Sequence, residues 1–171
     1  TQVQLHQAKL NNQYDALTLT LNRSAMLDRI GYALSMAKRQ HSQFALLFID
    51  LNNFKPVNDQ YGHEAGDKVL QQVSARLKAA VRDSDAVSRH GGDEFLLLIT
   101  DIKSDEDISV FTDKLHHILA QPYQLSDKNV LLSASIGISV FPQDAVTVSE
   151  LISCADAAMY RAKQQSKRRT G

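Results

Sequence analysis

The stretch Ser88–Thr100 reads SRHGGDEFLLLIT, with two glycines and two adjacent carboxylates directly in front of one of the most apolar runs in the chain. Asp85–His90 (DAVSRH) and Glu94–Thr100 (EFLLLIT) both read as strands. Gly91-Gly92 between them predicts a tight hairpin, because glycine tolerates the positive φ that such turns use. A turn alone needs no charge; Asn-Gly would serve. Asp93 and Glu94 therefore call for a reason beyond folding.

Upstream, Phe44–Asp50 (FALLFID) is short and continuously apolar, the pattern of a strand buried on both faces. Before it, Asn22 is placed to cap a helix carrying Met26, Leu27, Ile30, Ala33, Leu34 and Ala37 at helical spacing. After it, Asn52–Asp67 (NNFKPVNDQYGHEAGD) is polar and holds a proline and two glycines, and reads as a loop around at most a short helical turn. A long helix follows over about His63–Val81, with Ala65, Val69, Leu70, Val73, Leu77 and Ala80 on one face. Downstream of the hairpin, a helix over Ser104–Ala120 with Ser104 as its cap, a strand over Val130–Val140 and a last helix over Thr147–Lys163 complete the chain. The order β-α-β-β-α-β plus a helix matches the split βαβ, ferredoxin-like α+β arrangement, with the core sheet flanked by helices. A right-handed crossover makes the first two strands parallel, so the hairpin turn lies at the end where the first strand finishes. Asp50 and the Asp93-Glu94 pair are thereby expected at one rim.

The 171 residues, 43% of them hydrophobic, suffice for one domain with a real core. Lys+Arg and Asp+Glu number 19 each, so no global field favours a nucleic-acid backbone or an anionic membrane, and neither is expected as a direct partner. The single cysteine, Cys154, lies among small residues in a helical pattern and reads as a small buried side chain. The opening segment, residues 1–14, is polar, with Leu5, Ala8 and Leu10 at roughly helical spacing. It reads as the tail of a connecting helix, and the chain as a cytoplasmic domain cut from a larger protein, any membrane anchor of which is expected outside this domain; the domain proper is assigned to residues 15–171.

Carboxylates clustered at a rim repel one another unless a cation sits between them, and hard oxygen ligands select Mg²⁺ or a similar ion. Mg²⁺ usually shares substrate phosphates. Lys55, five residues past Asp50, and the backbone N–H groups of its loop are candidate phosphate contacts. The residues alone thus point to phosphoryl or nucleotidyl transfer, beside the plainer possibility of an interaction domain.

Gly91–Phe95 (GGDEF) is also the name-giving motif of the GGDEF family of diguanylate cyclases. At about 5% usage per residue, a specified five-residue word arises by chance in a chain of this length with probability on the order of 10⁻⁴ or less. Asp15–Arg23, Phe48–Asp67, Ala134–Ser139 and Ala155–Lys163 resemble the family as well, so the likeness runs from about Asp15 to Lys167. It implies a nucleotidyl-cyclase or polymerase-palm-like fold, and condensation of two GTP into cyclic di-GMP with Mg²⁺ or Mn²⁺. By that resemblance Asp50, the Leu51 carbonyl and Asp93 hold metal, and Glu94 is a further ligand or helps deprotonate the attacking hydroxyl. Asn58 and Asp67 match the guanine readers, an amide and a carboxylate able to satisfy O6, N1–H and N2–H together. Phe54, Lys55, Gly91, Gly92, Lys163 and Lys167 are implied in holding the rest of the nucleotide. Arg82 and Asp85 match the RxxD site at which the product inhibits. Two facing domains are needed to close the ring, which implies a homodimer.

The chain departs from the family pattern at three places. Leu19-Thr20 replace Gly-Leu in a segment expected to border the triphosphate, Asn52 stands where a second Asp is common, and Ser166-Lys167-Arg168 replaces GRN. An active, product-inhibited cyclase is the first reading; a catalytically weak module that binds GTP or cyclic di-GMP and regulates an attached domain is the alternative.

Overall fold

In the computed structural model, residues 13–170 are described, with side chains through Ser166. The segment expected to be a connecting helix lies outside them apart from its last two residues. The elements run α1 (Arg23–Gln40), β1 (Gln43–Asn52), α2 (Phe54–Tyr61), α3 (His63–Ala80), β2 (Ala86–Gly91), β3 (Glu94–Ile102), α4 (Asp105–Leu119), β4 (Tyr123–Gln124), β5 (Asn129–Val130), β6 (Ser133–Phe141) and α5 (Val148–Thr170). The main sheet has the order β2-β3-β1-β6. Because β3 is antiparallel to both β1 and β2, those two are parallel, and β6 closes the other edge antiparallel to β1. This is the ferredoxin-like α+β arrangement.

The continuous apolar run of β1 is explained by two core layers. Ala45, Leu47, Ile49 and Leu51 point into one with Val69, Val73, Leu77 and Leu115 from α3 and α4. Phe44, Leu46 and Phe48 point into the other with Met26 and Ile30 of α1 and Leu151, Ala155 and Met159 of α5. Each such buried Val, Leu, Ile, Phe or Met side chain contributes about 1.5–3 kcal/mol, which is why the middle of a central strand accepts no polar residue. That end carries Asp50.

The helices begin where their capping chemistry sits. Asn22 Oδ1 accepts from the Ala25 N–H at 2.9 Å, Ser104 Oγ from Asp107 at 3.3 Å, and Thr147 Oγ1 from Glu150 at 3.2 Å. Helix α5 reaches Thr170, beyond the Lys163 expected from spacing. Gly137 lets it lie directly on β6, since a Cβ there would stand 2.1 Å from both the Ala155 carbonyl oxygen and the Met159 nitrogen.

Several expectations are corrected. The polar stretch after β1 is an eight-residue helix, α2, because Phe54 and Val57 bury a face and Pro56 falls in the first turn, where a missing N–H costs nothing. Neither Gly91 nor Gly92 has a positive φ; among the described residues Gly62, at 93°, is the glycine that does. Leu27 and Cys154 are exposed. The β4–β5 hairpin, anchored where Arg76 stacks 3.9 Å from the Tyr123 ring centroid, had no counterpart in the sequence reading. No helix among the described residues is long and apolar enough to cross a membrane.

Candidate active site

Asp50 and Glu94 are direct cross-strand partners in the β1–β3 ladder, so their side chains leave the same face of the sheet. Asp93 precedes Glu94 in the turn, and its carbonyl accepts from the Leu51 N–H at 3.4 Å. The three carboxylates therefore share one rim because the topology ends β1 beside the β2–β3 turn. Helix α5 adds the countercharge: Lys163, one turn beyond Met159, places Nζ 2.9 Å from Asp50 Oδ2.

Burial raises the Asp93 carboxyl above its ordinary value and the charge of Asp50 adds to that, with Lys163 opposing. Glu94 is raised first by burial and then by Asp50, Asp156 and Asp93. Among the described residues no three His, Cys, Asp or Glu side chains converge on one point in this conformation. Yet Asp50 Oδ1 is buried with no protein partner, an expensive state for a carboxylate oxygen. A hard cation would satisfy that oxygen and relieve the repulsion on Asp93, and two carboxylates with a backbone carbonyl form a donor set suited to Mg²⁺ when phosphates complete the shell. The residues present fit a divalent ion.

The remaining candidates divide between two ends of the sheet. Lys55 is exposed on the first turn of α2, while the Phe54 side chain is buried, so any ligand contact from Phe54 falls to its first-turn N–H. Asn58 is half-buried where α2 meets α3 and Asp67 is exposed nearby; among the described residues neither side chain has a hydrogen-bond or ion-pair partner. A Cβ on Gly92 would meet nothing within 4 Å, so the surface outside the turn is open to an approaching group. The Lys167 side chain lies outside the described residues. Asn52 is buried, donating to Ser133 Oγ and accepting from Ser135 Oγ, both at 2.9 Å, so its amide clamps β1 to β6.

Arg82 and Asp85 lie before β2, at the other end of that six-residue strand, roughly 20 Å from the turn by strand rise. The Asp85 side chain, only 2% exposed, accepts from Arg82 Nε at 3.1 Å, from the Arg82 N–H at 2.9 Å and from the Thr100 N–H at 3.0 Å. Its oxygens are taken up internally, whereas Arg82 is 56% exposed. Leu19 and Thr20 line a surface cavity of about 430 Å³ with Arg82 and Asp83, away from the rim they were expected to border.

Sequence reasoning passed over Arg89. Its Nη1 lies 3.3 Å from Asp15 Oδ2 and its Nε donates to the Gly92 carbonyl at 3.0 Å, tying the chain's entry segment to the hairpin turn. Burial works to raise Asp15, but the Thr18 hydroxyl and N–H and the Arg89 charge hold it below the usual carboxylate range. A lone cation two residues before Gly91 in a largely uncharged strand was the available signal.

Residues 12–169 match the family model described as diguanylate cyclase, GGDEF domain. The chain belongs to the GGDEF family. This GGDEF domain is 46% identical over 154 residues, 90% of the chain, to the bifunctional diguanylate cyclase/cyclic di-GMP phosphodiesterase MucR of Pseudomonas aeruginosa. It is 40% identical to the solved GGDEF domain of TpbB from the same organism, with a TM-score of 0.87 and 89% of each chain covered. A microbial GGDEF domain solved to describe an interaction mode with cyclic di-GMP shares 31% identity, with a TM-score of 0.80 and 92% and 94% of the two chains covered. The chain spans 22% of the length of MucR and 37% of that of TpbB.

Proposed function

We propose that this GGDEF domain is a diguanylate cyclase that condenses two GTP into cyclic di-GMP and two pyrophosphates. The observation that carries the reading is the rim itself: Asp50 facing Glu94 across the ladder, Asp93 beside them, and a buried Asp50 oxygen without a partner.

Asp50, Asp93 and the Leu51 carbonyl would hold Mg²⁺ or Mn²⁺. A bound divalent ion offsets charge on the triphosphate and on the leaving pyrophosphate. The 3′-oxygen of one GTP attacks the α-phosphorus of the other, the bond to pyrophosphate breaks, and a second such step closes the ring. Glu94, raised above its ordinary value, is suited to take up the hydroxyl proton. Lys163 exchanges Asp50 for phosphate as the nucleotide arrives, with Lys55 and Lys167 adding charge. Open backbone at Gly92, with Gly91 beside it, admits the phosphates. Asn58 and Asp67 read the guanine edge.

One site holds one GTP, so two domains must face each other and the active species is a homodimer. Arg82, oriented by Asp85, is the anion contact of a product-inhibition site away from the rim. The domain is assigned to residues 15–171, the preceding residues to a linker, and the setting to the cytoplasm, where GTP is found.

One observation favours the alternative of a weakly active receptor for GTP or cyclic di-GMP: Lys163 already neutralises Asp50. Specific activity against protein concentration separates the two. A dimeric cyclase gives activity per protomer that rises with concentration before it levels off; nucleotide binding with no product at any concentration supports the receptor.

A further inference from the structure

Helix α2 ends at Tyr61, and Gly62 turns the chain into α3; the Gly62 N–H donates to the Asn58 carbonyl at 2.8 Å and the Gly66 N–H to the Gly62 carbonyl at 3.2 Å. The two helices therefore meet at a fixed corner. Across it, the Asn58 side chain lies against the backbone of Gly66, the residue next to Asp67. A Cβ at position 66 would stand 1.7 Å from Asn58 Oδ1, 2.8 Å from Asn58 Cγ and 3.2 Å from Phe54 Cζ. The first two distances are impossible, and the third needs only a small adjustment.

Gly66 has no positive φ, so its backbone would accept any residue, and alanine is the better helix former. Glycine is required at this position by what lies against it. We propose that Gly66 is a specificity-determining position: the missing Cβ is the space in which the Asn58 amide is held beside the Asp67 carboxylate, and so sets their joint presentation to a purine edge. Any side chain at position 66 turns the amide away or lifts α2 from α3, separating the two groups. A guanine needs both, because its O6 acceptor and its N1–H and N2–H donors lie along one edge. The inference rests on Asn58 and Asp67 as the guanine readers. Gly66 touches no substrate and acts through Asn58 as a positioning residue.

The test is binding of a non-hydrolysable GTP analogue, and of the matching ATP analogue, to wild type, Gly66→Ala, Asn58→Ala and the double variant, by calorimetry with Mg²⁺. Gly66→Ala is expected to weaken the GTP analogue at least tenfold and leave the ATP analogue within twofold, collapsing the preference. In the Asn58→Ala background, Gly66→Ala should add no further loss. Unchanged preference in Gly66→Ala together with lost preference in Asn58→Ala overturns the spacer role alone. Unchanged preference in Asn58→Ala overturns the guanine reading beneath it. If Gly66→Ala does not fold, the double variant should, since the clashing amide is gone; an unfolded double variant overturns the proposal.

Discussion

Asp50 and Lys163 form an ion pair of 2.9 Å between the end of β1 and the last third of α5, with side chains 13% and 24% exposed. Lys163 is positioned by the close approach of α5 to β6 at Gly137. Lys163→Met is expected to lower metal-free stability by about 1 kcal/mol, since the carboxylates lose their countercharge while solvent still screens part of the repulsion. Turnover should fall about 10²-fold, through lost phosphate charge. Thermal unfolding without nucleotide and steady-state kinetics with it give the two numbers.

The raised Asp93 and Glu94 carboxyls give a pH dependence of definite sign. Their folded pKa values lie above the unfolded ones, so the folded state binds more protons and their contribution to stability is full below the ordinary carboxylate range and lost as pH rises through the raised values. A divalent ion binds the deprotonated form and reverses the trend. Melting of wild type and Asp93→Asn between about pH 4 and about pH 7, with and without Mg²⁺, should show metal-induced stabilisation growing with pH in the wild type and much reduced in the variant.

Arg82 and Asp85 are not equivalent targets, although both belong to one motif. Arg82→Ala should relieve product inhibition and leave initial rates unchanged, because Asp85 keeps the Thr100 and Arg82 N–H groups. Asp85→Ala removes the buried acceptor of both N–H groups and of the Arg82 guanidinium and should cost about 1–2 kcal/mol of stability. Inhibition curves with added cyclic di-GMP, beside thermal melts, separate the two effects.

Leu19 sits at φ 59° and the residue is 64% exposed. An L-residue in the left-handed region carries a steric cost that glycine avoids. Leu19→Gly should therefore stabilise the domain by about 1 kcal/mol, or roughly 2–4 °C in Tm, with activity unchanged. A lower Tm would show that the Leu19 side chain stabilises more than its backbone costs.

The sheet was legible because β1 is continuously apolar from Phe44 to Ile49, the pattern of a strand with helices on both faces. The meeting of Asp50 with the hairpin acids followed from the crossover connection, which makes β1 and β2 parallel and puts the β2–β3 turn at the end of β1. Helix α2 was not legible, since eight residues bury only Phe54 and Val57 and its proline and polar residues imitate a loop. The glycine pair suggested positive φ, but the turn is made without it. Gly66 carried no local signal, because its reason is Asn58 across a helix corner. Lys163 was legible as a cation, but its pairing with Asp50 depends on how closely α5 lies on β6.

The most direct measurement is the rate of cyclic di-GMP formation, followed chromatographically, from GTP and Mg²⁺ by the nucleotide-stripped wild-type domain and by Asp93→Ala at protein concentrations that favour pairing. The account predicts cyclic di-GMP and pyrophosphate in a one-to-two ratio from the wild type, and a loss of at least about 10³-fold in a folded Asp93→Ala variant. Equal output from the two would contradict the role given to the rim, and no product from the wild type, with GTP still bound, would contradict the cyclase itself.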